Sequence, residues 1–137
     1  MKLHRWISAI AVLIVVFSVA LIASPFSAVA APSSYQLTCS SISLKGNVLS
    51  ATCRRRDQSL NSTSITLKGI ENIDGTLKVL DPGKTANFDL TCTSTSIRGD
   101  IISSQCRKIN REFVQTSTRI NGIENIDGVL KYTSSPA

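Results

Sequence analysis

Gly69-Ile70-Glu71-Asn72-Ile73-Asp74-Gly75-Thr76-Leu77-Lys78 returns 53 residues later as Gly122-Ile123-Glu124-Asn125-Ile126-Asp127-Gly128-Val129-Leu130-Lys131. Cys39 and Cys53 return at the same offset as Cys92 and Cys106, so residues 34–80 and 87–133 align without a gap. A repeat of this length marks two copies of one folding unit. Because polar residues recur as faithfully as apolar ones, it also marks two copies of a site. Within each quoted stretch Asp-Gly sits between apolar residues, Ile73 before and Leu77 after in the first copy. That is the pattern of a tight two-residue hairpin turn.

Upstream, Met1-Lys2-Leu3-His4-Arg5 is a basic leader to a nearly unbroken apolar run from Ile7 to Ala23. Ser27-Ala28-Val29-Ala30 then offers a small-x-small cleavage site, so residues 1–30 read as a signal peptide. The run is also nearly long enough to span a bilayer, and an uncleaved anchor is the other reading. Either way the remainder is exported, secreted or periplasmic, with no stable membrane association once the signal is removed. Residues 31–137 are enough for one domain. Taking Lys2 and Arg5 from the fifteen basic residues, against nine acidic ones, leaves a formal charge of +4. A modest positive charge outside the cell reads as a solubilising surface rather than a nucleic-acid footprint.

The four cysteines all lie in the exported part, with no His nearby and at a spacing that fits no zinc motif. In an oxidising compartment they read as two disulfides, Cys39–Cys53 and Cys92–Cys106. The midpoint of each pair is a glycine, Gly46 and Gly99, followed by Asn47 and Asp100. Each bridge is therefore expected to tie opposed positions of a hairpin centred on that glycine. After the second Cys comes a polar stretch, then short alternation ending at Gly69 or Gly122. Each copy reads as three strands and a small hairpin, and the chain as all-β, with one helical turn allowed over residues 111–117. Tyr35, Phe88, Phe113 and Tyr132 are expected in the core. Residues 81–86, Asp81-Pro82-Gly83-Lys84-Thr85-Ala86, have linker composition. Each copy alone holds too little core to stand as a separate bead, so the two are expected to share one core.

Leu-Thr-Cys, a second Cys fourteen residues on, then Ile-Glu-Asn-Ile-Asp-Gly-x-Leu-Lys, all given twice, resembles the cyanovirin-N family of lectins (the CVNH domain) over residues 34–132. The resemblance implies a pseudo-symmetric tandem repeat with strand exchange, each half joining three strands of one copy to the hairpin of the other. It implies two carbohydrate sites for α1,2-mannose termini of high-mannose oligosaccharides or glycoproteins. Near the chain ends it points to Ser34, Leu37, Thr38, Arg54 and Arg56 with Asn125, Ile126 and Asp127. Near the linker it points to Glu71, Asn72 and Asp74 with Asn87, Leu90, Thr91, Arg107, Lys108 and Arg111. The chain departs from the family at Leu37 and Leu90, where a polar residue is usual, and at Arg54, where a Glu stands in the founding member. It departs again at Ile109, in place of a basic residue, at Val79, in place of a Trp, and in its longer linker.

The chemistry suits a sugar. Neighbouring pyranose hydroxyls are each donor and acceptor, and a carboxylate or amide held at the base of a tight turn engages two at once. Asn and Asp in such a turn also bond their own backbone, which is the bland reading of the motif. Glu71/Asp74 and Glu124/Asp127 resemble a glycosidase pair, but a thin β domain offers no deep cleft to raise one pKa, so no enzyme is expected. Glu71, Asn72 and Asp74 supply too few oxygens for calcium, and no metal or cofactor is expected. Arg54, Arg55, Arg56, Arg107, Lys108 and Arg111 form two equivalent basic patches. They support the alternative of an exported polyanion- or cell-surface-glycan-binding module. Asn61-Ser62-Thr63 matches a glycosylation sequon. The expected state is a monomer able to form a domain-swapped dimer through the linker.

Overall fold

The computed structural model describes residues 30–136; the signal-peptide reading falls, but for Ala30, outside them. Ten strands follow in order: β1 (Cys39–Lys45), β2 (Val48–Arg54), β3 (Leu60–Thr66), β4 (Ile70–Ile73), β5 (Thr76–Val79), β6 (Cys92–Arg98), β7 (Ile101–Arg107), β8 (Phe113–Arg119), β9 (Ile123–Ile126) and β10 (Val129–Tyr132). They make two antiparallel three-stranded sheets, β1-β2-β3 and β6-β7-β8, and two hairpins, β4-β5 and β9-β10. A 3₁₀ turn precedes each sheet, at Tyr35–Leu37 and Phe88–Leu90.

Alternation decides which face is buried. In β2, Leu49, Ala51 and Cys53 point inward between exposed or half-exposed neighbours, and β7 repeats this with Ile102, Ser104 and Cys106. Ser104 stands where β2 has Ala51. Its hydroxyl shares a hydrogen bond with Thr95 (2.7 Å) and donates to the Thr93 carbonyl (2.9 Å), so burying it leaves no polar atom unpaired. The disulfides are Cys39–Cys53 and Cys92–Cys106, each across a β-ladder as the sequence predicts.

The hairpins exchange. β5 packs on β8 of the other copy, and β10 packs on β3. The Leu77 N–H donates to Thr116 Oγ1 at 3.0 Å, and the Leu130 N–H to Thr63 Oγ1 at 3.2 Å. Ile70 and Leu77 from one hairpin, and Ile123 and Leu130 from the other, join one continuous core with Tyr35, Phe88 and Leu49. Neither copy closes its core alone. The Tyr35 hydroxyl reaches the Gly99 carbonyl in the opposite copy at 2.7 Å. Burial pushes its ionisation well above the ordinary tyrosine range, and the Asp100 carboxylate adds to that shift.

The linker is bent and fastened. Its Lys84 carbonyl accepts from Gly69 N–H, and Ala86 N–H donates to the Leu67 carbonyl. The chain start repeats this arrangement: the Ala31 carbonyl accepts from Gly122 N–H, and Pro32 bridges Asn121 as Thr85 bridges Lys68. The structural repeat therefore reaches back to Ala31, three residues before Ser34.

Three expectations are corrected. The hairpin turns are centred between Gly46 and Asn47 and between Gly99 and Asp100, since Lys45 pairs Val48 and Arg98 pairs Ile101. A bulge between Ser40 and Ser43, and another between Thr93 and Ser96, then moves the cysteines into opposition; Ser41 (φ +51°) and Ser94 (φ +53°) lie within them. The helical turn over residues 111–117 is absent. Residues from Phe113 onward form β8, because Val114, Thr116 and Thr118 alternate as a strand face. Phe113 is not core: it falls on the outward phase of that strand and is half exposed.

Candidate functional site

The two Asp-Gly turns are where each exchanged hairpin meets the opposite sheet. Asp74 (φ +48°) and Gly75 (φ +86°) are both left-handed, as a type I′ turn requires, and Asp127 and Gly128 match them. A Cβ at Gly75 would stand 2.5 Å from Val114 Cγ2 and 2.7 Å from Lys108 Cγ, so glycine is also what lets the turn approach the sheet.

Asn72 clamps this junction. Its Nδ2 donates to Thr91 Oγ1 and to the Arg107 carbonyl, both at 2.9 Å, and its Oδ1 accepts from Gly75 N–H at 2.8 Å. Asn125 does the same in the other half, donating to Thr38 Oγ1 (3.0 Å) and the Arg54 carbonyl (2.8 Å) and accepting from Gly128 N–H (2.7 Å). The bland reading is half right: each Asn holds its own turn, but it also fastens that turn to the other copy. The aspartates act differently. Asp74 Oδ1 accepts from Ile109 N–H and Asp127 Oδ1 from Arg56 N–H, both at 2.9 Å. Oδ2 of each has no protein partner among the described residues.

On the linker side these residues line a cleft of about 500 Å³ formed by Asn72, Asp74, Thr91, Arg107, Lys108, Ile109 and Arg111. At the chain ends a smaller one, about 260 Å³, is formed by Thr38, Arg54, Arg55, Arg56, Asn125, Ile126 and Asp127. Arg55 and Ile109 are walls that the sequence reading left out of its sites. Alignment of the copies signals both, since each occupies a slot whose partner was named. Other expected residues stand behind or beside the clefts. Glu71 accepts from Asn87 Nδ2 at 3.3 Å, and Glu124 from the Ser34 hydroxyl at 3.5 Å, bracing hairpin against 3₁₀ turn. Leu37 and Leu90 are largely exposed and line shallow side grooves, with Leu60 and Phe113 respectively.

The basic patches are at the clefts but are not equivalent. In the chain-end copy an Arg54 guanidinium N–H donates to Gln58 Oε1 (3.1 Å) and one from Arg55 to Asn61 Oδ1 (2.8 Å). Asn61 Nδ2 in turn donates to the Gly128 carbonyl at 2.8 Å, so the sequon asparagine is part of the hairpin dock. The side chains of Arg107, Lys108 and Arg111 make no hydrogen bond or ion pair among the described residues.

The CVNH domain family model matches residues 35–131. Among solved structures, microvirin in complex with mannobiose is 31% identical, with a TM-score of 0.59, covering 74% of this chain and 98% of that one. The T. borchii CVNH protein, at 21% identity and TM-score 0.62, covers 73% and 99%. A MoCVNH3 variant in complex with (N-GlcNAc)4, at 15% and 0.63, covers 76% and 99%. The last two show a shared fold alone; the family match and the first extend the likeness to the sequence. Doubled disulfides, exchanged hairpins and the doubled Asn-x-Asp-Gly docks agree with that match, and the chain belongs to the CVNH family.

Proposed function

We propose that this chain is an exported lectin that binds mannose-rich glycans, with α1,2-linked mannose as the preferred terminus, through one site at each hairpin–sheet junction. The observation that carries this reading is the state of the two aspartates. One carboxylate oxygen is fixed by a backbone N–H of the opposite copy, and the other has no partner among the described residues. Thr91 and Thr38 complement them: each hydroxyl oxygen already accepts from an asparagine, which leaves its proton free to donate. A rigid acceptor beside a rigid donor matches two neighbouring hydroxyls of a pyranose. The mannobiose complex of microvirin supports the choice of sugar.

Binding without a chemical step fits the same geometry. Among the described residues Asp74 is the only carboxylate lining the linker-side cleft, and Glu71, the second member of the pair a hydrolase needs, is turned to Asn87. Export rests on the basic and apolar leader of residues 1–30, and cleavage after Ala30 would leave the Ala31 carbonyl in place for Gly122.

The test is a glycan array on the oxidised protein, followed by calorimetry with α1,2-mannobiose on Asp74→Asn and Asp127→Asn. Each change keeps the Oδ1 acceptor and removes the charge. A charge-assisted bond is worth about 1.5–3 kcal/mol, so each variant should weaken its own site by about tenfold or more. Mannobiose affinity unchanged in the double variant would overturn the assignment.

A further inference from the structure

We propose that the linker-side cleft is selective for a saccharide carrying an anionic substituent, a carboxylate, sulfate or phosphate ester, while the chain-end cleft takes neutral sugar. This rests on the lectin reading and divides it between the two sites.

The two copies differ in the residues that line these clefts. Arg54 corresponds to Arg107, Arg55 to Lys108, Arg56 to Ile109 and Gln58 to Arg111. At the chain ends the first two cations are satisfied within the protein, by Gln58 and by Asn61. On the linker side both acceptors are gone. Val114 stands at the position of Asn61, and Gln58 has become Arg111, a second guanidinium where the first copy supplies an amide oxygen. Arg111 keeps the left-handed backbone of its counterpart (φ +73° against +72°), so the turn is the same and only its chemistry has changed.

Three cations and one carboxylate line each cleft, and each carboxylate accepts from one backbone N–H; among the described residues all three linker-side cations lack a side-chain partner, whereas at the chain ends only Arg56 does. Glu112, the nearest acid in sequence, has Oε2 engaged by Asn110 Nδ2 at 3.0 Å. Three like charges gathered against a single lining carboxylate repel one another, and an anion bound between them removes that repulsion and fills empty donor forks. A neutral sugar can accept from those donors but leaves the repulsion in place. The cleft is also nearly twice the volume of the other, which leaves room for a substituent beyond the ring.

The experiment is an amide-resolved NMR titration of the oxidised protein with three probes: α1,2-mannobiose, the same disaccharide carrying a 6-phosphate, and a mannuronate disaccharide. Inorganic phosphate alone is the control. At low salt the linker-side resonances should report acidic probes binding about tenfold more tightly than mannobiose, and the advantage should shrink as salt is added. The chain-end resonances should show no such preference. Preference for the phosphate over the uronate, or the reverse, tells an ester from a carboxylate. Arg111→Gln installs the residue that the other copy tolerates on the same backbone. It should abolish the acidic advantage. Gln58→Arg should move an acidic preference to the chain ends. Equal affinity for neutral and acidic probes, an advantage untouched by Arg111→Gln, or phosphate alone binding as well as the phosphorylated sugar would each overturn this inference. Failure of all sugars at both sites would overturn the lectin reading with it.

Discussion

Replacing Asn72 with Ala removes one side chain and three hydrogen bonds: those to Thr91 Oγ1 and the Arg107 carbonyl, and that from Gly75 N–H. Each is worth about 1 kcal/mol net in a partly buried setting. Water reaches part of the junction and replaces some of them, so the expected loss is about 2–3 kcal/mol. For a domain of about this size, each kcal/mol lowers Tm by about 4–8 °C, and the variant should melt about 10–20 °C below the parent. Asn125→Ala should fall by nearly the same amount, because its three bonds have the same partners in the other copy. Asn72→Asp sharpens the reasoning. It keeps an acceptor for Gly75 but turns a carboxylate oxygen on the Arg107 carbonyl, and it should be no more stable than the alanine variant. Scanning calorimetry on the oxidised protein, with mannobiose calorimetry alongside, reads both effects. If Asn72→Ala melts within about 2 °C of the parent yet loses sugar binding, Asn72 is a direct contact and not a clamp.

Gly75→Ala and Gly128→Ala each force a left-handed alanine into side chains that stand within 3 Å, and should cost about 2–4 kcal/mol by urea unfolding. Removing either disulfide by paired Cys→Ala substitution should cost about 3 kcal/mol, the value for a loop of about fifteen residues. Stability should decline as pH rises past about 10: Tyr35 holds its proton in the fold above the pH at which the unfolded chain releases it, so the unfolded state gains by ionising first. Tyr35→Phe should flatten that alkaline decline even though it forfeits the bond to Gly99. Because the linker is fastened in its bent form to residues 67–69, light scattering should find a monomer at micromolar concentration, with a swapped dimer appearing slowly at high concentration.

Much of this molecule is legible in its sequence because its information is duplicated. The Asp-Gly turns, the paired cysteines and the inward alternation of β2 and β7 each follow from local chemistry and recur at a fixed offset. That one core serves both copies follows from how few large apolar side chains each holds. That the hairpins exchange comes from the family resemblance. The bulges near Ser41 and Ser94 were not legible, since a serine in the left-handed region carries no mark in the sequence, and they alone explain why the midpoint of the cysteines misses the turn centre. Phe113 misled because an aromatic residue is expected inside, while the phase of β8 puts it outside. The residues of the Asn-x-Asp motif were found, but not their division of labour. Only three-dimensional contacts show that Asn72 and Asn125 spend both amide hydrogens within the protein while Asp74 and Asp127 each keep an oxygen without a partner among the described residues. The same holds for the cations: six basic residues look alike in sequence, and their partners separate them.

The most direct test of the account is where mannobiose perturbs the amide spectrum of the native protein. Shifts should converge on Asp74, Thr91 and Ile109 at one end and on Thr38, Arg56 and Asp127 at the other, while the outer faces of the two three-stranded sheets stay silent. Saturable shifts centred on those sheet faces, or none at millimolar sugar, would contradict the claim that the hairpin–sheet junctions are the binding sites.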